Sequence, residues 1–401
     1  MKKLRVIACI LLLGLVIPGV IHLYGHLPAD PQPLIEKKYG GWAGVLRLWI
    51  FEGWQPGAGS AAGWLNRCIA SFEKLHPGVY IQPEYVDAST MRALGSDGLL
   101  PPDLALFPPG LLTSTQGLLP LEAAPSLRPG LQRSDCAVPV MLGGYMWAFN
   151  TALLERLPVS WREAEVIPAA LPDEDWRHWE TALLALCSGL AVQEAPEAQS
   201  ETTGEMDLGL NEAEVHSTPE PQLAGEPLRC LLPERFAPDE SAWQSFVNGE
   251  VAAMPVTQRE VRRLQALSDQ GRGPDWQLAA SGNPFTDQVL YLSIPDHPAP
   301  EDKRALCQAF VAHLLDDGCQ GELRRAGAFA VTNAASGYPA NDPLAGMDAL
   351  LRQAGLCVPA PFDTGWTEYA ESYVRKFLSG DPDPAGLWRE FSGHMLQISE
   401  H

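Results

Sequence analysis

The feature that most constrains the fold is an alternation of strand-like and helical segments that begins at residue 45. Residues 45–51 and 79–86 are rich in the β-branched and aromatic side chains that are typical of strands. Between them, residues 62–75 place apolar side chains at helical spacing, and the sequence HPG at 76–78 ends that pattern. A third strand is predicted at 103–107. Alternation of this kind predicts an α/β fold with a mostly parallel sheet.

The pattern continues along the chain, with one change of composition. An extended segment is predicted at 138–150 and a helix at 175–186. A strand at 285–294, a helix at 303–315 and a largely helical end at 362–401 follow. Residues 193–227 differ from all of these, because they contain many acidic residues, no lysine, no arginine and no aromatic residue. Such a segment buries too little apolar surface to offset the entropy of ordering. It is predicted to be a disordered acidic insertion.

The N-terminus predicts export. A basic start, MKKLR, precedes an apolar run at residues 6–21 that is interrupted only by Pro18. Basic residues before such a run indicate that the chain beyond it lies outside the cytoplasm. The run is long for the core of a signal peptide and short for a spanning helix. Residues 1–25 are therefore either a signal peptide or a membrane anchor, and residues 26–44 are expected to form a tether.

Length and charge restrict the classes of partner. A chain of 401 residues is long enough for two or three domains. Its net charge of −21, from 49 acidic and 28 basic residues, argues against nucleic acid as a partner, since a phosphate backbone requires a clustered basic face. The same charge argues against docking of the body on an anionic membrane.

The cysteines show no metal-binding spacing. Seven follow Cys9, an odd number that leaves at least one unpaired in an exported chain, and no CxxC pair occurs. Cys68, Cys187 and Cys307 lie on apolar helical positions, which favours buried cysteines that act as small hydrophobic residues. No metal and no cofactor are predicted.

Catalytic motifs are also missing from the sequence. It contains no GxSxG, HExxH or GxxxxGK[ST] motif. The glycine-rich stretch at 57–63 lacks the third glycine of a dinucleotide-binding turn and is read as a loop that caps a helix. An exported hydrolase is the weakest of the alternatives, and we predict no catalytic residue and no enzymatic activity.

Several phrases resemble the extracellular solute-binding proteins of carbohydrate ABC importers, the family that includes maltose-binding protein. The similar phrases are FEKLHPGV, PDLALF with GLLPL, VPVMLGGYMWAFN and FVNGEVAAM, at residues 72–79, 102–107 with 117–121, 138–150 and 246–254. Each phrase is weak alone, but their order and spacing follow the family. The sequence departs from the family pattern at the acidic insertion, at Arg259, which stands where a stacking Trp is frequent, and at Gly110, which replaces an Asp.

The resemblance implies a two-lobed periplasmic-binding-protein-like fold of type II, an α/β fold in which each lobe is a mixed, mostly parallel sheet flanked by helices. Lobe 1 is expected to comprise residues 45–144 and 288–333, and lobe 2 residues 145–287 and 334–401. The segments at 138–150 and 286–294 would be the crossings between the lobes, with the acidic insertion inside lobe 2.

The resemblance also implies a ligand site in the cleft between the lobes. Aromatic faces and a few polar groups recognise neutral solutes, and seven residues are expected to line the cleft: Glu52, Trp54, Phe107, Gly144, Tyr145, Arg259 and Trp366. Packing in the core is the alternative for each aromatic residue, a kinked strand for the glycine, and a solvated helix start for Arg259.

The function that the resemblance implies is the capture of a small polar solute, a carbohydrate first of all, for the transmembrane subunits of an ABC permease. The protein would be a monomer outside the cytoplasm, attached to the membrane through its N-terminal segment. The alternative is an anchored descendant that has lost its pocket and acts as a sensor or a protein-interaction scaffold. Its motivation is the acidic insertion and the missing aromatic residues.

Overall fold

A computed structural model describes residues 41–154 and 241–397, apart from 59, 95–99, 122–126, 132–133, 280–284, 335–336, 353–355 and 379–383. The predicted leader and tether, the helix at 175–186 and the acidic insertion lie outside the described residues. Within the described part of the chain, no helix is both long enough and apolar enough to cross a membrane.

The described residues form eight strands and ten helices. The strands are β1 (Gly44–Ile50), β2 (Val79–Tyr85), β3 (Leu104–Phe107), β4 (Val138–Leu142), β5 (Tyr145–Asn150), β6 (Ala253–Thr257), β7 (Trp276–Ala279) and β8 (Val289–Ser293). The helices are α1 (Ala61–Leu75), α2 (Ala88–Arg92), α3 (Ser241–Val247), α4 (Gln258–Asp269), α5 (Glu301–Leu314), α6 (Asp317–Gly321), α7 (Leu323–Ala326), α8 (Pro343–Leu351), α9 (Trp366–Leu378) and α10 (Pro384–Gln397).

Five strands form a first, mixed sheet in the order β2-β1-β3-β8-β4. β1 pairs in parallel with β2 and β3, whereas β8 pairs antiparallel with both β3 and β4. Every residue of β3, β4 and β8 is buried, which agrees with their continuous apolar sequences. The sheet is therefore mixed as expected, with a larger antiparallel share than local sequence patterns indicate, because β8 returns from the second sheet.

Three strands form a second sheet in the order β6-β5-β7, and both pairings are antiparallel. β5 follows β4 with only Gly143 and Gly144 between them, so the chain passes directly from the first sheet to the second. It returns through residues 285–288 to β8. The described part of the α/β chain thus has two sheets, each with its own helices, joined by extended segments. The second sheet is wholly antiparallel, so the mostly parallel sheet expected in each lobe is not found there, because β6 and β7 both run against β5.

Helix α1 belongs to the first sheet's cover, the helices that pack against that sheet, and shows how the sequence determines local structure there. Ser60 caps its N-terminus by accepting the Gly63 N–H at 3.1 Å, which confirms the capping interpretation of the glycine-rich stretch. Trp64, Cys68 and Phe72 follow at helical spacing and are buried, while the opposite face is exposed.

A buried ion pair joins a loop of the first sheet to helix α8. The Arg128 Nη2 and Asp348 Oδ1 atoms are 2.7 Å apart, and the two side chains are only 3% and 4% exposed. Arg128 Nε also donates to the Thr332 carbonyl at 3.3 Å, and Arg352 Nε donates to Asp348 Oδ2 at 2.7 Å. Because charges without partners are costly to bury, each member depends on the other.

Candidate functional site

The crossing between the two sheets is built on glycine. The Gly143 N–H donates to the Gln288 carbonyl at 2.7 Å, and the Thr286 hydroxyl donates to the Gly143 carbonyl at 3.1 Å. A Cβ atom on Gly143 would lie 2.2 Å from Gln288 Oε1 and 2.5 Å from Gln258 Nε2, far inside van der Waals contact. Only glycine fits here, since the two crossing segments run side by side.

Buried amide groups hold the crossing together. Gln258 has no exposed surface, and its Nε2 donates to Gln288 Oε1 at 2.8 Å while its Oε1 accepts the Gly144 N–H at 3.0 Å. Gln258 is the first residue of α4, whose N-terminus carries a capping box formed by Thr257 and Glu260. Both polar atoms of the Gln258 amide thus have partners within the protein, so this part of the space between the sheets is filled.

Tyr145 begins β5 beside this network. Its hydroxyl donates to Asp287 Oδ1 at 2.6 Å, and its side chain is buried. Burial, together with the nearby negative charge of Asp287, raises the pKa of Tyr145 well above its usual value. The phenol therefore remains a hydrogen-bond donor to the carboxylate at any physiological pH.

The loop after β1 carries two polar groups that are less completely satisfied. Glu52 is half-buried and accepts the Ala62 N–H, and burial raises the pKa of its carboxyl group. Trp54 packs partly against the core, and its indole Nε1 is buried with no hydrogen-bond partner among the described residues. A buried donor without a partner costs about 1–3 kcal/mol. The Trp54 N–H is therefore a donor that a bound solute or water would satisfy.

A second wall is formed by the residues before α9. The Gly110 N–H donates to the Pro361 carbonyl at 2.9 Å, and a Cβ on Gly110 would lie 2.8 Å from both the Asp363 carbonyl and Trp366 Nε1. Asp363 accepts the Gly365 N–H through Oδ1, whereas its Oδ2 is buried and has no partner among the described residues. Burial raises the pKa of the Asp363 carboxyl group. A side chain at Gly110 would collide with this wall, and its φ of +74° lies in the left-handed region that favours glycine.

The loop after β3 connects the two walls. A Cβ on Gly53 would lie 2.7 Å from Pro108 Cγ, and Gly110 is only two residues farther along. Trp366 is 5% exposed and packs 6.3 Å from the Phe285 ring. Among the described residues around this loop, Trp54 Nε1 and Asp363 Oδ2 are buried polar atoms with spare hydrogen-bonding capacity.

Two of the expected site residues have different surroundings. Phe107 is completely buried in the first sheet, where its ring lies 6.5 Å from Tyr291 and 6.0 Å from Phe362. It has no exposed surface from which to contact a solute, because its strand is covered on both faces. Arg259 is partly exposed at the start of α4, where its N–H donates to Thr257 Oγ1 at 3.2 Å.

The structure therefore brings the expected residues into two groups. The first group contains Glu52, Trp54 and Trp366: the loop of Glu52 and Trp54 contacts Pro108, and Gly110 in the same loop as Pro108 contacts Trp366. The second group contains Gly144, Tyr145 and Arg259, which lie around Gln258. A contact links the groups, because a Cβ on Gly57 would lie 2.5 Å from the Gln258 carbonyl oxygen.

Sequence reasoning missed four of the polar residues in these groups: Gln258, Asp287, Gln288 and Asp363. Only Asp363 had a local signal, a DTG sequence directly before a helix.

A cavity of about 650 Å³ lies elsewhere, between β7, α4 and the start of α8, and none of the expected site residues lines it. Within the ranges described, no group of His, Cys, Asp and Glu side chains is arranged to hold a metal ion.

Comparisons with known proteins identify the fold. No family model matches the sequence, and no curated protein matches it. Among solved structures, it is similar to the sugar-binding protein MalE from Xanthomonas citri, with 15% identity and a TM-score of 0.55, covering 89% of this chain and 98% of that one.

It is also similar to a cyclic α-maltosyl-1,6-maltose binding protein from Arthrobacter globiformis (14% identity, TM-score 0.53, 89% and 99% covered). A third similar structure is a family 1 extracellular solute-binding protein from Bifidobacterium longum subsp. infantis (12% identity, TM-score 0.51, 89% and 100% covered). The chain has the two-lobed α/β fold of these solute-binding proteins, as its sequence phrases indicate.

Proposed function

We propose that this protein is the extracytoplasmic solute-binding subunit of an ABC importer. In this proposal it captures a small polar solute between its lobes, catalyses no reaction and requires no cofactor. Lobe 1 comprises residues 45–144 and 288–333, and lobe 2 residues 145–287 and 334–401. The separation of the strands into two sheets at Gly143-Gly144 supports this division.

The observation that carries the proposal is the pair of unsatisfied polar groups around loop 108–110. Trp54 offers an indole N–H, and Asp363 offers a carboxylate oxygen, each without a partner among the described residues. Glu52 adds a second half-buried carboxyl group. Buried polar groups normally find partners, so a polyhydroxylated solute, which both donates and accepts, would complete them. A carbohydrate is the solute class that best fits a Trp combined with two carboxyl groups.

Closure of the lobes would occur at the crossings. Both are short extended segments, and movement about a few such residues is the usual form of hinge closure in two-lobed binding proteins. The contact of Gly110 with Asp363 and Trp366 joins the proposed lobes at the edge of the site. Solute would bind when this contact is open and would be enclosed when it forms.

The partners and location follow from the same proposal. The basic start and apolar run at 1–21 support export, with retention at the membrane by an uncleaved segment. Among the similar structures, MalE is named a sugar-binding protein and the Bifidobacterium protein an extracellular solute-binding protein. The proposed partners are therefore a small solute and the transmembrane subunits of a permease, with the protein itself a monomer.

A thermal-shift experiment tests the proposal. The full chain is heated with mono-, di- and oligosaccharides, nucleosides, amino acids and polyamines. A true ligand at 100 times its Kd stabilises the folded state by about 2.7 kcal/mol and raises Tm by several degrees. Trp54→Phe, which removes the N–H but keeps a ring, should weaken the affinity at least tenfold. Trp42→Phe is the matched control, because Trp42 is also half-buried but stacks on Lys303 at the far end of β1.

No stabilisation by any compound in the panel would contradict the solute-binding proposal. An equal effect of Trp54→Phe and Trp42→Phe on a ligand that does bind would contradict the assignment of the site.

A second candidate has an observation of its own in its favour. Gln258 fills part of the space between the sheets, and the Gly57 and Ala58 N–H groups donate to the carbonyls of Gly327 and Ala326 directly beside it. A groove occupied by the protein's own groups suits a descendant that no longer binds a solute and instead acts as a sensor or scaffold. Small-angle scattering distinguishes the two, since a solute receptor contracts when its ligand is added and a scaffold does not.

A further inference from the structure

We propose that Cys68 and Cys319 form a disulfide bond that joins helix α1 to helix α6. In the structure both are free thiols, 2% and 5% exposed. They are far apart in sequence, but the same His313 Nε2 atom lies within hydrogen-bonding distance of Cys319 Sγ and of the Cys68 carbonyl oxygen. The inference concerns a modification site in the first sheet's helical cover and does not depend on the proposed solute binding.

The backbones that carry the two thiols are held together on either side of them. One turn before Cys68, the Trp64 indole Nε1 donates to the Cys319 carbonyl at 2.8 Å. Beside it, the Arg67 Nε and Glu322 Oε2 atoms form an ion pair at 3.2 Å. These contacts keep the segments that carry the two cysteines next to each other in the folded protein.

An imidazole lies beside the thiols in this contact. His313 Nε2 lies 3.4 Å from Cys319 Sγ, 3.2 Å from the Cys68 carbonyl oxygen and 2.7 Å from Ser71 Oγ. An imidazole beside a thiol either accepts its proton or stabilises the thiolate.

The two thiols are not equivalent. Hydrogen bonds from Cys68 and Ser71 lower the pKa of the Cys319 thiol against the effect of burial. The hydrogen bond to Cys319, and then burial, raise the pKa of the Cys68 thiol. Cys319 is also the thiol beside the imidazole, with Sγ 3.4 Å from His313 Nε2. Since the thiolate is the attacking species, Cys319 is the nucleophile and Cys68 is the resolving thiol.

The reaction requires an oxidant of the disulfide class, such as oxidised glutathione or the disulfide form of a thiol oxidoreductase. The Cys319 thiolate attacks one sulfur of the oxidant, which forms a mixed disulfide and releases one oxidant thiol. Cys68 then loses its proton and attacks the Cys319 sulfur, which forms the internal disulfide and releases the second oxidant thiol. Two protein thiols are oxidised and one external disulfide is reduced to two thiols.

Cys307 provides a matched control in the same sheet's cover. It is buried to a similar extent, at 3% exposure, but burial and the charge of Asp103 raise the pKa of its thiol to about 12. The charged groups that act on this thiol are Asp103 and Lys303, and neither is a cysteine. It should remain reduced under conditions that oxidise Cys68 and Cys319.

The test is to refold the full chain in a glutathione redox buffer, block the remaining thiols, digest without reduction and identify cross-linked peptides by mass spectrometry. We expect a peptide pair that joins Cys68 to Cys319, in the wild type and in Cys307→Ala. Reduction should lower Tm by about 5 °C in both proteins and leave the Tm of a Cys68→Ala/Cys319→Ala variant unchanged.

The single variants test the order of the steps. Cys68→Ala should retain one glutathione on Cys319, because the mixed disulfide cannot be resolved, whereas Cys319→Ala should retain none on Cys68. Recovery of both cysteines as blocked thiols from the refolded wild type would overturn the proposal. So would a stoichiometric zinc ion bound to the purified protein through these thiols. The wild-type peptide map remains decisive even if a variant fails to fold.

Discussion

The buried pair of Arg128 and Asp348 allows a quantitative prediction about stability. Asp348→Ala removes the carboxylate and leaves the Arg128 guanidinium, 3% exposed, with the Thr332 carbonyl at 3.3 Å as its remaining hydrogen-bond partner among the described residues. Breaking a buried pair in this way costs about 3–5 kcal/mol. At about 2–4 °C per kcal/mol for a folding unit of about 150–250 residues, Tm should fall by about 6–20 °C. Urea denaturation, monitored by tryptophan fluorescence, measures the free energy directly.

Two further variants separate an uncompensated charge from a general defect. Replacing both members, as Arg128→Met/Asp348→Leu, should recover most of the loss, because no unpaired charge remains buried. Asp296→Ala removes an exposed partner, 3.3 Å from Arg304, and should cost less than about 1 kcal/mol. A loss below about 1 kcal/mol for Asp348→Ala, or a double variant no more stable than the single one, would refute the reasoning.

Three smaller changes have expected effects of known sign. Gly143→Ala should destabilise the protein by about 2 kcal/mol in the denaturation assay, because the new Cβ would lie 2.2 Å from Gln288 Oε1. The control Gly346→Ala should be neutral or stabilising, because no atom lies within 4 Å of its Cβ position. Thr257→Ala removes a capping box and should cost about 1 kcal/mol, and an unchanged midpoint would contradict that role. Burial raises the pKa of Glu52, so the folded state holds its proton above the ordinary carboxyl pKa and loses stability as pH rises through that window. Glu52→Gln should therefore gain Tm relative to wild type as pH rises from about 4 to about 8, and a constant difference would show that Glu52 is not the cause.

Helices, strands and helix caps are predictable from this sequence because each depends on residues that are close together along the chain. The strand predicted at 45–51 corresponds to β1, which begins one residue earlier, and the helix predicted at 62–75 also begins one residue earlier, directly after its Ser60 cap. Cys68 and Cys307 are buried, as their apolar helical positions indicate. Each of these features depends on side-chain periodicity or a cap within a few residues of sequence.

The pairing of strands and the polar network are not predictable in the same way. That β8 lies between β3 and β4 depends on contacts between residues that are very distant in sequence, which no local pattern encodes. The Gln258–Gln288 bond likewise depends on how two crossing segments meet. Phe107 illustrates the ambiguity of an aromatic residue at a strand end, since the sequence cannot say whether the next strand covers it.

The insertion of β8 into the middle of the first sheet has a consequence for synthesis. β3 and β4 leave the ribosome early, but the strand that pairs with both begins only at Val289. At about 5–20 residues per second, the edge of β4 waits roughly 7–30 seconds for its partner and the edge of β3 roughly 9–36 seconds. During that interval the growing chain cannot complete its central β-ladder, and such delayed, non-local pairing makes folding slow. The topology itself thus keeps the nascent polypeptide uncommitted until most of it has been made.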